Sequence, residues 1–108
     1  MSELSTHILD TTTGRPVAGV KVRHSYAGVA GASAVTNSEG RIANMLKGQG
    51  LQKGNHTLTF EVGPYFADHK IESFYSEIHI DFVVTDTERN YHLPLLLSPF
   101  SFTSYRGS

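Results

Sequence analysis

The stretch Ser76-Glu77-Ile78-His79-Ile80-Asp81-Phe82-Val83-Val84 sets Ile78, Ile80, Phe82 and Val84 on one side of an extended chain and Glu77, His79, Asp81 and Val83 on the other. Side chains of a β-strand point alternately to opposite faces, so this two-residue period specifies a strand with one apolar face. Leu58, Phe60 and Val62 alternate in the same way with Thr57, Thr59 and Glu61, and Val20 and Val22 with Lys21 and Arg23. Such faces need a second apolar layer to cover them.

Further strands are expected over Leu4 to Leu9, Ala32 to Thr36, Ile42 to Leu46 and Tyr91 to Leu97. Turn-forming runs separate them: Asp10-Thr11-Thr12-Thr13-Gly14, Asn37-Ser38-Glu39-Gly40, Lys47-Gly48-Gln49-Gly50 and Asp86-Thr87-Glu88. Only Ala67 to Ser73, after Gly63-Pro64, can hold a turn or two of helix. Roughly seven or eight short strands with no alternating helices predict an all-β, antiparallel sandwich of two sheets. With 108 residues the chain can bury one core, so residues 1–108 are read as one domain. Tyr91-His92-Leu93-Pro94-Leu95-Leu96-Leu97 is apolar on both faces except at His92, and Pro94 lacks a ladder donor. That suits an edge strand or a bulge, and a greasy edge favours association with another copy.

Composition narrows the function. Nine Lys and Arg against ten Asp and Glu give a net charge of −1 with no basic run, which argues against nucleic acid as a partner. Cysteine is absent, and with it disulfides, thiolate nucleophiles and cysteine-based zinc sites. No apolar run approaches the roughly 20 residues of a membrane span, and the N-terminus lacks the features of a secretory signal, so no membrane partner and a cytoplasmic location are expected. Nucleophile-elbow, phosphate-loop and metalloprotease motifs are all missing. Gly48, Gly50 and Gly54 read as hairpin turns.

Six histidines remain, at positions 7, 24, 56, 69, 79 and 92. Histidine exchanges protons near neutral pH, with an unperturbed pKa of about 6.5. His24, His56, His69 and His79 are assigned structural or surface roles. His7 shares a strand face with Ser5 and Leu9, opposite Thr6 and Ile8, and so lies on the outer surface if the other face turns inward. His92 is the one titratable group of an apolar strand, where partial burial favours the neutral imidazole that a general base requires. Arg41 follows the turn 37–40, either as a solvated strand-start residue or as a planar fork for a carbonyl oxygen or anion. The spacing gives no metal-ligand pattern, so neither a metal nor another cofactor is expected. The final Tyr105-Arg106-Gly107-Ser108 is either a frayed tail or the lining of a polar pocket.

The blocks LSTHILDTTTGRPVAGVKV, TNSEGRI and YHLPLLLSPFSFTSYRGS, in that order, resemble the signature blocks of the 5-hydroxyisourate hydrolases, the transthyretin-related enzymes of urate breakdown. The resemblance spans nearly the whole chain, and the closing Tyr-Arg-Gly-Ser is its most specific mark. It implies a transthyretin-like sandwich of two four-stranded sheets with one short helix, assembled as a homotetramer whose clefts are each lined by two subunits. It further implies hydrolysis of 5-hydroxyisourate to 2-oxo-4-hydroxy-4-carboxy-5-ureidoimidazoline, with His7, Arg41 and His92 catalytic and Tyr105, Arg106, Gly107 and Ser108 lining the substrate site. Which histidine is the base stays open, as does whether Arg106 meets substrate or a neighbouring subunit. Transthyretin shares the fold but lacks the two histidines, so a non-catalytic carrier of a flat ligand is the alternative. Two positions depart from the family pattern: Ser76 stands where many members have proline, and Phe102 where tyrosine is common.

Overall fold

The computed structural model describes residues 2–108. Its strands are β1 (Leu4–Asp10), β2 (Arg15–Pro16), β3 (Lys21–Tyr26), β4 (Val29–Val35), β5 (Arg41–Ile42), β6 (Gly54–Phe60), β7 (Ile78–Val84), β8 (Tyr91–Leu97) and β9 (Phe102–Ser104), with helix α1 (Gly63–Asp68) between β6 and β7. One sheet runs β4-β3-β6-β7; the other runs β2-β1-β8-β9, with β5 also paired to β1. The second sheet counts five strands because the short β2 and β5 share one edge of β1, β5 at Thr6 and His7 and β2 at Leu9 and Asp10. The expected sandwich is present, but it is not wholly antiparallel: β1 and β8 run parallel over their full length.

The core lies between the sheets, and strand alternation fills it. Along β1 the inward Leu4, Thr6, Ile8 and Asp10 are buried while Ser5, His7 and Leu9 are only partly covered. Leu58 and Phe60 of β6, Ile78 and Val84 of β7, and Leu93, Leu95 and Leu97 of β8 meet them there. Polar inward groups are satisfied: Thr6 Oγ1 donates to the Leu93 carbonyl at 2.6 Å, and Asp10 accepts from the Tyr65 hydroxyl at 2.7 Å and from the Thr12 N–H at 2.8 Å.

Three expectations need correction. The helix begins earlier than Ala67, because Pro64 suits a first helical turn and Phe66 is the buried anchor; it stops at Asp68, and Lys70 turns left-handed with φ 57°. The strand expected over 42–46 ends at Ile42, after which the chain bends to bury Met45, whose N–H meets the Leu4 carbonyl at 2.8 Å. Gly48 and Gly50 lie in this connection between sheets rather than in a hairpin, and Gly54 opens β6.

The strand β8 is not an edge, since it sits between β1 and β9. Its proline nevertheless interrupts pairing. The β8/β9 ladder joins Leu95 to Ser104, stops, and resumes in the same register at His92 and Gly107. The missing Pro94 N–H falls in that gap, where the Ser104 hydroxyl donates to the Pro94 carbonyl instead, at 2.8 Å. Among the described residues no helix is long and apolar enough to cross a membrane.

Candidate active site

The backbone register alone assembles the histidines and the arginine. His7 of β1 is the partner of Arg41 in β5 and of Pro94 in β8, and Ser5 is the partner of His92. Directly paired residues project from the same face of a sheet. Ser5, His7, Arg41 and His92 therefore emerge together on the outer face, opposite the core-facing Thr6 and Ile8.

Arg41 is delivered by its turn. The Asn37 side-chain oxygen accepts the N–H groups of Glu39 at 2.9 Å and Arg41 at 3.0 Å, and the Asn37 carbonyl accepts that of Gly40 at 2.9 Å. Gly40, at φ 74°, then passes so close to β1 that its carbonyl accepts the Ile8 N–H at 2.8 Å. A Cβ there would lie 2.6 Å from the Ile8 oxygen, so only glycine allows the approach that brings Arg41 opposite His7. Among the described residues no carboxylate forms a salt bridge with the Arg41 guanidinium.

Electrostatics binds the group together. Burial is the main cause that lowers the pKa of His7, the Arg41 charge lowers it further, and the Glu39 carbonyl and carboxylate oppose both. His92 is also lowered, first by burial, then by Arg41 and by His7, against a hydrogen bond to the Ser5 carbonyl. Both imidazoles are thus held mainly neutral near pH 7, beside a cation. Two neutral bases and one fork-shaped cation on a half-buried surface can deprotonate a water and stabilise an oxyanion.

The tail divides into two parts. The Gly107 N–H donates to the His92 carbonyl at 2.8 Å, and Ser108 lines a cleft of about 420 Å³ with Ser5, Arg41, Asn90 and His92. Tyr105 and Arg106 instead line a neighbouring apolar hollow of about 310 Å³ with Ile80 and Phe82, and the Arg106 guanidinium lies over the Tyr91 ring, 4.5 Å from its centre. Within one chain, then, five of the seven expected residues converge, and Tyr105 and Arg106 line a second hollow that shares His92 with the cleft.

Of the other histidines, His24 and His56 form a buried pair 2.8 Å apart, His69 bonds the Tyr65 carbonyl, and His79 bonds Thr59 and Glu77. Among the described residues no group of three or more His, Cys, Asp or Glu side chains could hold a metal ion. One site residue was passed over. Ser5, whose Oγ lies 2.8 Å from His92 Nδ1, shares the outward face of β1 with His7, and that placement was legible in the alternation.

Residues 4–107 match the family described as HIUase/Transthyretin. A 5-hydroxyisourate hydrolase of Deinococcus radiodurans is 39% identical over 97% of this chain and 95% of its own length. The mouse (Mus musculus) 5-hydroxyisourate hydrolase is 35% identical over 99% and 96%. Among solved structures, the Klebsiella pneumoniae 5-hydroxyisourate hydrolase superposes with a TM-score of 0.91 at 44% identity, covering 100% of both chains. Sea bream transthyretin, solved in complex with thyroxine, reaches 0.89 at 29% identity, covering 97% of this chain and 94% of its own. The chain belongs to the HIUase/Transthyretin family.

Proposed function

We propose that the protein hydrolyses 5-hydroxyisourate to 2-oxo-4-hydroxy-4-carboxy-5-ureidoimidazoline in urate breakdown, using His7, Arg41 and His92. The observation that carries this reading is the convergence, on one sheet face, of two neutral imidazoles and a guanidinium that forms no salt bridge among the described residues. The fold alone serves both hydrolase and carrier, so the site must decide. A flat-ligand carrier has no need of paired bases beside a cation, and the full-length hydrolase relatives agree with the catalytic reading.

The chemistry requires three things. A water must lose a proton as its oxygen bonds the attacked carbonyl carbon, the carbonyl oxygen must be stabilised as it gains charge, and the ring nitrogen must accept a proton as the C–N bond breaks. The two histidines accept the proton from water and return it to the ring nitrogen, a contribution typically of about 10²- to 10⁴-fold. Arg41 holds the oxyanion, worth about 3 kcal/mol if it acts like a single oxyanion donor. Gly107 and Ser108 wall the cleft.

We further assign the chain, as one hydrolase domain, to a cytoplasmic homotetramer. Exposed Val83 and Phe102 on the outer strands β7 and β9 support self-association, which would cover the hollow around Tyr105 and Arg106. Light scattering checks the stoichiometry. The activity is tested by generating 5-hydroxyisourate in situ with urate oxidase and following its decay. Decay faster than the spontaneous rate, giving one product enantiomer, is expected; unchanged or slowed decay would establish the carrier instead.

A further inference from the structure

A histidine acts as a base only through a ring nitrogen that carries no hydrogen, so the partner of the other nitrogen decides whether it can act at all. For His92 that partner is Ser5. The two residues are paired across the parallel β1/β8 ladder, and Ser5 Oγ lies 2.8 Å from His92 Nδ1. A hydroxyl could serve as donor or acceptor here, which leaves the tautomer open. The geometry fixes which nitrogen is engaged: Ser5 occupies Nδ1, and among the described residues Nε2 has no hydrogen bond while the ring lines the cleft. A base can act only through that open nitrogen, and a bare Nε2 requires Nδ1–H with the Ser5 hydroxyl as its acceptor.

The opposite side of the ring is clamped as well. A Cβ on Gly107 would fall 2.5 Å from His92 Cδ2, the carbon next to Nε2, and 3.2 Å from Cγ, so the bare glycine backbone packs against that edge. Among the described residues Nε2 forms no hydrogen bond and is not sealed from solvent, while Ser5, Arg41 and Ser108 share the cleft with the ring.

We infer that Ser5 is a positioning residue that fixes His92 as the Nδ1–H tautomer and so makes Nε2 the atom that takes the proton from water. This rests on the hydrolytic reading of the site. The water O–H bond breaks toward Nε2, and the hydroxide adds to the substrate carbonyl carbon. The resulting imidazolium keeps its Nδ1–H bonded to Ser5 and returns the Nε2 proton to the departing ring nitrogen. Ser5 touches no reacting atom and acts only through His92.

The test combines Ser5→Ala and Ser5→Thr with nitrogen-15 NMR of the imidazoles in the substrate-free protein. In the wild type the His92 signals should report Nδ1–H. Ser5→Ala keeps the carbonyl but loses the hydroxyl acceptor, so kcat should fall about 10- to 100-fold, the range for removing a group that orients an imidazole. KM should stay nearly constant, and the acid limb of the kcat profile should move to lower pH, because the imidazolium has lost an acceptor. Ser5→Thr, which restores the hydroxyl, should recover most of the rate. A wild-type His92 found as Nε2–H overturns the inference, even if Ser5→Ala fails to fold. So does a Ser5→Ala enzyme with unchanged kcat and pH profile. If the wild type does not accelerate 5-hydroxyisourate decay while NMR shows Nδ1–H, the hydrolytic reading fails and the tautomer assignment stands.

Discussion

Replacing Gly107 by alanine is the sharpest perturbation the site offers. The added Cβ would stand 2.5 Å from His92 Cδ2 and 3.2 Å from both His92 Cγ and Pro94 Cγ. Carbon atoms rest about 3.5 to 4.0 Å apart, so roughly 1 Å must be found. The Pro94 ring is fixed, which leaves two ways to yield. Either the imidazole swings and loses its 2.8 Å contact with Ser5, or the tail lifts and loses the 2.8 Å bond from Gly107 to the His92 carbonyl. Both disturb the base or the wall of the cleft. A displacement of 1 Å in a catalytic constellation costs about 10²-fold, or close to 2.7 kcal/mol of transition-state stabilisation. The core is untouched, so the melting temperature should move by less than about 4 °C, the usual consequence of a surface change. The assay is kcat/KM on 5-hydroxyisourate made in situ, paired with thermal unfolding. A Gly107→Ala enzyme within about twofold of wild type would refute the claim that the tail backbone positions His92.

His92→Asn should leave the assembly intact and lower turnover at least about a hundredfold, the lower end for a general base; near-normal turnover in the same assay would remove His92 from the mechanism. Arg41→Lys keeps the charge but not the fork, and should depress kcat/KM measurably; an unchanged value would show that planar recognition is irrelevant there. Deleting Gly107 and Ser108 should impair activity more than thermal stability, and a fully active truncation would count against a catalytic tail. Acid should destabilise the fold through His24, whose pKa burial and His56 lower from 6.5 to about 4. The unfolded chain takes up this proton first, so the stabilisation is complete above pH 6.5 and drains away toward pH 4, on the order of 3 kcal/mol; urea unfolding at several pH values, with His24→Gln as the flattened control, measures it.

How far the sequence could be read depended on whether a feature was local or relational. Alternation in 78–84, 58–62 and 20–22 identified the inward apolar residues, with Ile80 and Phe82 only partly buried against the core, because a strand face is encoded by neighbours two apart. The same argument set His7 on the outer face of β1 and His92 in partial burial. What periodicity does not carry is the identity of a strand's partner. The reading of 91–97 as an edge strand or a bulge failed for that reason: a proline deletes one ladder bond on one side, and here the other side of β8 runs unbroken along β1 while the β9 side keeps its register.

The site itself shows the same division more finely. Three strands, β2 to β4, and the turns around them separate His7 from Arg41 along the chain, and nothing local says that they meet. Gly40 supplies the missing information, since a Cβ there would stand 2.6 Å from the Ile8 oxygen and only the bare backbone fits where β5 meets β1. Ser5 was hidden differently. Its face was legible, but a serine beside a histidine in sequence space gains meaning only when the parallel register lays it against a second histidine 87 residues away. Tyr105 and Arg106 mark the limit of a single chain. Arg106 rests on Tyr91 and lines a hollow with Ile80 and Phe82 of the outer strand β7 rather than the cleft that holds Arg41, so any contact it makes with substrate in that cleft must be completed by rearrangement or by a second subunit. An Arg106→Ala enzyme separates the two: a raised KM in an intact assembly would give the residue to the substrate, and a shift toward smaller species on light scattering would give it to the interface.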